Sequence, residues 1–221
     1  MRGECTPVQL FTEREAIVGA CRRLVRDGLV VGTAGNVSVR AGELVAVTPS
    51  GVDYDRLTPE LIGVHRLDGS PLDAPLAPTS ELPIHLAIYA ERDIVAVVHT
   101  HSPAATALSC LVDEVPAVHY YLALFGGPVR VARYATYGTP QLAESMLDAL
   151  RDRTACLLAN HGAVTIGDSL AKALERARYL EWVCEVALRV LSTGQRPRLL
   201  STEQMAEAKD KLDNYGSQPA R

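Results

Sequence analysis

Apolar positions recur along the chain with two periods, and the switches between them mark out its elements. Ile17, Val18, Cys21, Leu24 and Val25 share one helical face, with Thr12 and Glu15 as a predicted capping box and Gly28 as the stop. The period then drops to two. Residues 37–40 and 44–48, separated by Ala41-Gly42-Glu43, predict a β-hairpin. A further strand is expected near 62–66, closed by the Asp68-Gly69 turn, and the proline-rich stretch 71–78 predicts a surface loop. Thr79 or Ser80 is then placed to cap a helix through Ile84, Leu86, Ala87, Ile88 and Tyr89.

The run 93–98 is short, apolar and rich in β-branched residues, as a buried strand is. Ser102-Pro103 and Thr139-Pro140 each join a cap residue to a proline and predict helices over 104–111 and 142–150. Short strands are expected at 115–118 and 129–132, and a buried one at 156–159. A long amphipathic helix over 169–191 follows, then a last helix from Ser201 to about residue 214. Hairpins mixed with helical crossovers predict an α/β fold with a mixed sheet and helices on both faces. No linker composition divides the 221 residues, so one domain over 1–215 with a loose tail over 216–221 is expected.

Composition removes several classes of function. Twenty-two Lys and Arg against twenty-six Asp and Glu leave a formal charge of −4, which offers no basic face to a nucleic acid. The N-terminus carries no apolar signal core, and no segment nears the roughly twenty apolar residues of a bilayer span. A cytoplasmic location without a membrane partner is expected. The five cysteines are scattered and form no C-x-x-C pair, so they predict neither a disulfide framework nor a thiolate metal cluster. Cys21, Cys110, Cys156 and Cys184 lie in apolar patterns and read as small hydrophobes.

Histidine placement carries more information. His99 and His101 close the 93–98 run, and a strand's period of two points them the same way. His161, in Asn160-His161-Gly162, follows a similar apolar run. If both strands end at one edge of the sheet, the three imidazoles form the ligand set of a catalytic zinc with an open position. The alternative is three unrelated polar residues at strand ends. Three small segments, Thr33-Ala34-Gly35-Asn36, Thr48-Pro49-Ser50-Gly51 and Thr79-Ser80-Glu81, combine glycine, hydroxyl and amide groups in the way a phosphate site does. Singly, each reads as an ordinary turn or cap. Glu81 stands where a carboxylate favours a helix dipole. It also stands where a general base would take a proton from a carbon next to a carbonyl.

Other motifs recur in fixed order: Ala117-Val118-His119-Tyr120, the stretch 132–139 and Asn214-Tyr215-Gly216. With these, the chain resembles the class II aldolase/adducin family, also described as the L-fuculose-phosphate aldolase family, nearly end to end. The resemblance implies a three-layer fold around a largely antiparallel sheet. It implies one zinc per subunit on His99, His101 and His161, other divalent metals being the alternative at an imidazole-rich site, with Glu81 as fourth resting ligand and catalytic acid/base. Asn36, Ser50, Gly51, Thr79 and Ser80 would bind the substrate phosphate, and Tyr120 would assist proton transfer at the hydroxyl that becomes an aldehyde. It further implies a homotetramer in which Tyr120, Tyr137 and Tyr215 are candidates to complete a neighbour's pocket, packing being the alternative for Tyr137.

The implied reaction is reversible cleavage of a ketose 1-phosphate, L-fuculose 1-phosphate foremost, to dihydroxyacetone phosphate and L-lactaldehyde. Alternatives on the same fold are aldolases for ribulose 1-phosphate or a 5-deoxypentulose 1-phosphate, a 4-epimerase, a decarboxylase or a dehydratase, and a non-catalytic adducin-like interaction module. The chain departs from the common family pattern at Ala34 and Thr79, both often serine. His65, His85 and His119 match no ligand position and read as structural or surface residues.

Overall fold

In the computed structural model, which describes residues 9–214, eight strands form a single sheet in the order β4-β3-β2-β1-β5-β8-β7-β6. The strands are β1 (Asn36–Ala41), β2 (Leu44–Val47), β3 (Gly63–Arg66), β4 (Pro71–Asp73), β5 (Ala96–Thr100), β6 (Val131–Ala132), β7 (Ala155–Leu158) and β8 (Gly162–Gly167). Every neighbouring pair is antiparallel except β6 and β7. Six helices flank it: α1 (Phe11–Arg26), α2 (Leu82–Glu91), α3 (Pro103–Ser109), α4 (Pro140–Leu150), α5 (Leu170–Leu191) and α6 (Thr202–Asp213).

The two faces carry different cores. On one, Ile17 and Leu24 of α1 and Ala173 of α5 pack with Val37, Val39 and Val98. On the other, Ile84 and Ile88 of α2 and Met146 of α4 pack with Val45, Val97, Val164 and Ile166. A third cluster joins Leu108 of α3, Leu180 of α5 and Met205 of α6 to Leu157 of β7. Because side chains alternate along a strand, β1 sends Val37 and Val39 to the α1 core and turns Asn36 and Ser38 toward α2. Both polar side chains are buried there. By the same alternation His99 shares the α2 side with Val97.

The mixed sheet with helices on both faces, the 1–2 hairpin, and the helices over α4, α5 and α6 follow the sequence reading; Ser201 and Gln204 form the capping box of α6. Several local expectations are corrected. Helix α1 starts at Phe11 behind Leu10, so Thr12 lies inside it and caps nothing, while Gly28 terminates it at a positive φ of 69°. Val25 is 37% exposed rather than part of the core. The 71–78 loop begins with the edge strand β4. Neither Thr79 nor Ser80 caps α2; Glu81 occupies that position, and the Thr79 hydroxyl instead accepts from the Glu81 backbone N–H at 3.2 Å. Ser102 makes no capping bond either.

The strand expected at 115–118 reduces to a single bridge, Glu114 with Arg130, and the one at 129–132 to β6. Strand β8 is not legible in the sequence because Asn160 and His161 form the tip of a tight hairpin and Gly162 already begins β8, a pattern that looks like the end of a strand rather than the start of the next. Cys110 is exposed, unlike Cys21, Cys156 and Cys184. The expected tail over 216–221 lies outside the described residues, and among those described no helix is long and apolar enough to cross a membrane.

Candidate metal centre

Strand register brings the histidines together. In the β1–β5–β8 ladder Asn36 lies opposite His99 and His99 opposite Val164, so three adjacent strands share this level of the sheet. His161 comes from the tight turn between β7 and β8, where Leu158 pairs with Gly162 and the His161 N–H donates to the Leu158 carbonyl at 3.1 Å. Asn160 adopts a left-handed φ of 55° to make that turn, a conformation asparagine tolerates better than most residues. Gly162 then runs so close to the Thr100 carbonyl and the His101 ring that no Cβ fits between them. Glu81 enters from the opposite direction, at the start of α2.

The result is a convergence of four donors. Glu81, His99, His101 and His161 each offer a ligand atom, and these atoms lie within 4.8 Å of one another. Glu81 Oε2 is 3.0 Å from His99 Nε2, and Glu81 Oε1 is 3.4 Å from His161 Nε2. The Nε2 atoms of His99 and His101 are 2.9 Å apart. His99 Nδ1 faces the Ala163 carbonyl at 3.0 Å, which calls for a proton on Nδ1 and leaves a lone pair on Nε2 pointing into the cluster.

Electrostatics favour the ligand forms of His101, His161 and Glu81. Burial, and then the neighbouring imidazoles, push His101 and His161 down to about 4, so both rings are neutral near pH 7. Burial works against the Glu81 charge. Once protonated in acid, the facing His99 and His161 rings, with the Asn36 amide, outweigh it and hold the carboxyl well below the usual carboxylate range. Glu81 Oε1 is buried and makes no hydrogen bond. An orphaned carboxylate oxygen beside ring nitrogens aimed at one point fits a divalent cation, and three imidazoles with one carboxylate suit zinc and its borderline neighbours.

A cavity of about 470 Å³ opens onto this cluster. Every residue expected to contact a phosphate, namely Asn36, Ser50, Gly51, Thr79 and Ser80, lines it, together with Glu81, His101 and His161. No lysine or arginine does among the described residues, so an anion here would meet hydroxyl, amide and backbone donors and the metal's charge. Tyr134, Ala135 and Tyr137 form another wall. Tyr134, 66% exposed, was not singled out from sequence, although its place in the 132–139 motif was the available signal. Tyr120 is not brought to this cavity. It lines a separate groove between α5 and α6, beside Tyr179 and Lys211, and is 43% exposed. Tyr215 lies outside the described residues.

Residues 15–188 match the family described as Class II Aldolase and Adducin N-terminal domain. A 5-deoxy-D-ribulose 1-phosphate aldolase of Bacillus thuringiensis serovar kurstaki is 40% identical over 212 residues, covering 95% of this chain and 99% of that protein. An L-fuculose phosphate aldolase of Escherichia coli K12 is 39% identical over 202 residues, covering 90% and 94% respectively. A solved structure titled L-fuculose 1-phosphate aldolase superposes with a TM-score of 0.88 at 35% identity, covering 91% of this chain and 96% of that one.

The chain belongs to the class II aldolase and adducin family. Within it the chain is an enzyme, an aldolase and therefore a lyase, rather than a non-catalytic member.

Proposed function

We propose that the chain catalyses the reversible aldol cleavage of a ketose 1-phosphate, with L-fuculose 1-phosphate as first candidate, giving dihydroxyacetone phosphate and L-lactaldehyde. The observation that carries this reading is that one cavity is lined at once by Glu81, by His101 and His161 of the metal-ligand cluster, and by Ser50, Gly51, Thr79 and Ser80. A substrate held there by its phosphate would lay the following carbons against the cluster.

A zinc ion on His99, His101 and His161 would supply Lewis-acid polarisation of the substrate carbonyl and its neighbouring hydroxyl. The chain's own groups do the rest. Asn36, Ser50, Gly51, Thr79 and Ser80 hold the phosphate and set the distance of the reacting carbons from Glu81. When the C3–C4 bond breaks, the electron pair stays with the dihydroxyacetone phosphate half, and Glu81 delivers the proton to C3. In the synthetic direction Glu81 removes that proton. Tyr120, remote from its own chain's cavity, would serve the C4 hydroxyl in a neighbouring subunit's site, which requires the homotetramer the resemblance implies.

Substrates that differ beyond C3 share all of this machinery. The Bacillus relative's name supports a second reading, 5-deoxyribulose 1-phosphate, whose C3–C4 cleavage gives the same phosphate product and acetaldehyde. Both ketoses end in a methyl carbon, which suits the aromatic Tyr134 and Tyr137 wall. The test measures dihydroxyacetone phosphate release from both ketoses by zinc-loaded protein, chelated protein and the Glu81→Gln variant. Release confined to the zinc-loaded wild type is expected, and the ratio of kcat/KM values assigns the substrate. A folded, zinc-occupied protein that releases none from either ketose would overturn the proposal.

A further inference from the structure

Behind Glu81 runs a chain of buried polar side chains of which the proposed reaction uses only the first, Asn36. Asn36 Nδ2 lies 3.0 Å from Glu81 Oε2, and Asn36 Oδ1 lies 2.5 Å from His85 Nε2. His85 Nδ1 is 2.6 Å from Ser38 Oγ, which is 2.8 Å from the Tyr89 hydroxyl. His85 and Ser38 are wholly buried, and Asn36 and Tyr89 nearly so. From the sequence alone His85 reads as a structural or surface histidine.

The direction of each bond in this chain follows from one anion. Turned the other way, the Asn36 amide would set its oxygen against a carboxylate oxygen, so its N–H must face Glu81. Asn36 Oδ1 is then an acceptor, and His85 Nε2 must carry the proton. His85 Nδ1 therefore accepts, Ser38 donates to it, and Tyr89 donates to Ser38. Burial keeps the two titratable members neutral, pushing His85 down to about 3 and raising the Tyr89 hydroxyl far above its ordinary value. Four donors thus point the same way, toward Glu81, and each bond polarises the next.

We infer that His85 is a positioning residue: its Nε2–H fixes the Asn36 amide, which in turn aims the Glu81 carboxylate at the metal cluster and holds it there. The functional part of this inference rests on the proposed role of Glu81. The hydrogen-bond part does not. Outer partners of this kind typically contribute 10–100-fold to metal affinity or activity.

The test compares His85→Leu, which removes the donor, with His85→Gln, whose amide N–H can take the place of Nε2–H, and Ser38→Ala, which removes the donor to His85 Nδ1 and the acceptor of the Tyr89 hydroxyl while leaving the imidazole in place. Three readouts apply: the ¹⁵N resonances of His85 in metal-free protein, Zn²⁺ affinity in competition with a chromophoric chelator, and kcat separately from KM. The wild type is expected to show a protonated Nε2 and a bare Nδ1. His85→Leu is expected to weaken Zn²⁺ binding and lower kcat by about 10–100-fold in the folded fraction, His85→Gln to stay within about threefold, and Ser38→Ala to fall between.

A residue with only a structural role would lower the unfolding midpoint and leave folded-state kcat and Zn²⁺ affinity unchanged. That result, an Nδ1–H tautomer, or a Gln variant as damaged as Leu would each overturn the inference. Should His85→Leu fail to fold, the Ser38→Ala and Gln comparison decides it. Absence of aldolase activity in the wild type would refute the proposed function alone, since the tautomer and the Zn²⁺ competition report on His85 without turnover.

Discussion

Helix α3 follows directly after His101, has seven residues, and has no cap of its own, because the Ser102 side chain makes no capping hydrogen bond. Its start is held from outside. The Glu181 carboxylate, projecting from α5, accepts from the Ala104 and Ala105 N–H groups at 2.8 and 2.9 Å. A helix this short does not persist on propensity, so the borrowed cap is expected to matter. Loss of an N-cap side chain costs about 1 kcal/mol and loss of a charge at a helix N-terminus about 0.3–1 kcal/mol more. Glu181→Ala should therefore destabilise the chain by about 2 kcal/mol. At about 2–4 °C per kcal/mol for a chain of this size, that is a fall of ~4–8 °C in Tm. Glu181→Gln keeps an acceptor oxygen without the charge and should lose about half as much. Urea and thermal unfolding of metal-free protein at pH 7 measure both. An alanine variant within about 0.5 kcal/mol of the wild type would refute the claim that α5 anchors the segment behind His101.

Gly162→Ala places a methyl group against the Thr100 carbonyl and the His101 ring, so the turn carrying His161 must move; Zn²⁺ affinity should fall at least tenfold while far-UV circular dichroism persists. Wild-type affinity in that variant would show that the close approach is dispensable. His85, His101 and His161 lie at about 3, 4 and 4 in the folded chain, against about 6.5 unfolded. Between these values the unfolded chain binds more protons, so metal-free protein should lose stability as pH falls from about 6.5 and level off for these groups below about 3. An unfolding midpoint unchanged between pH 7 and pH 5 contradicts this. Finally, Glu81→Gln and Tyr120→Phe, each weakly active alone, should regain activity when their subunits are mixed and exchanged, because a mixed oligomer can assemble an intact site; additive activity of the mixture argues against a shared site.

The metal cluster was legible because an H-x-H at a strand end fixes two side chains on one face, and because the apolar runs before His99 and His161 read alike. Its supporting layer was not. Ser38 and Asn36 look like the wet face of a hairpin, since alternation tells which residues share a face but not what covers it; here α2 does. His85 likewise has the sequence context of a core helix and gains its partners only through the β1–α2 packing. Caps were misread where tertiary partners replaced local ones, as Glu181 replaces Ser102. Strand β8 was missed because Asn160 turns the chain in three residues without a glycine at the bend. Tyr120 was placed by motif, and the described chain sets it in a different groove from the cavity.

The wall formed by Tyr134, Ala135 and Tyr137 belongs to the segment between β6 and α4, which joins no strand ladder. His99 and Asn36, by contrast, are locked into strand register, and His161 into a turn that tolerates little change. Tyr134 and Tyr137 are largely exposed and pair with no strand, so substituting either leaves the ladders that carry the metal donors untouched. On the proposed reading, inheritance can therefore keep the bond-breaking apparatus intact while the choice of aldehyde drifts one side chain at a time, which makes this short irregular stretch the place to engineer a new product.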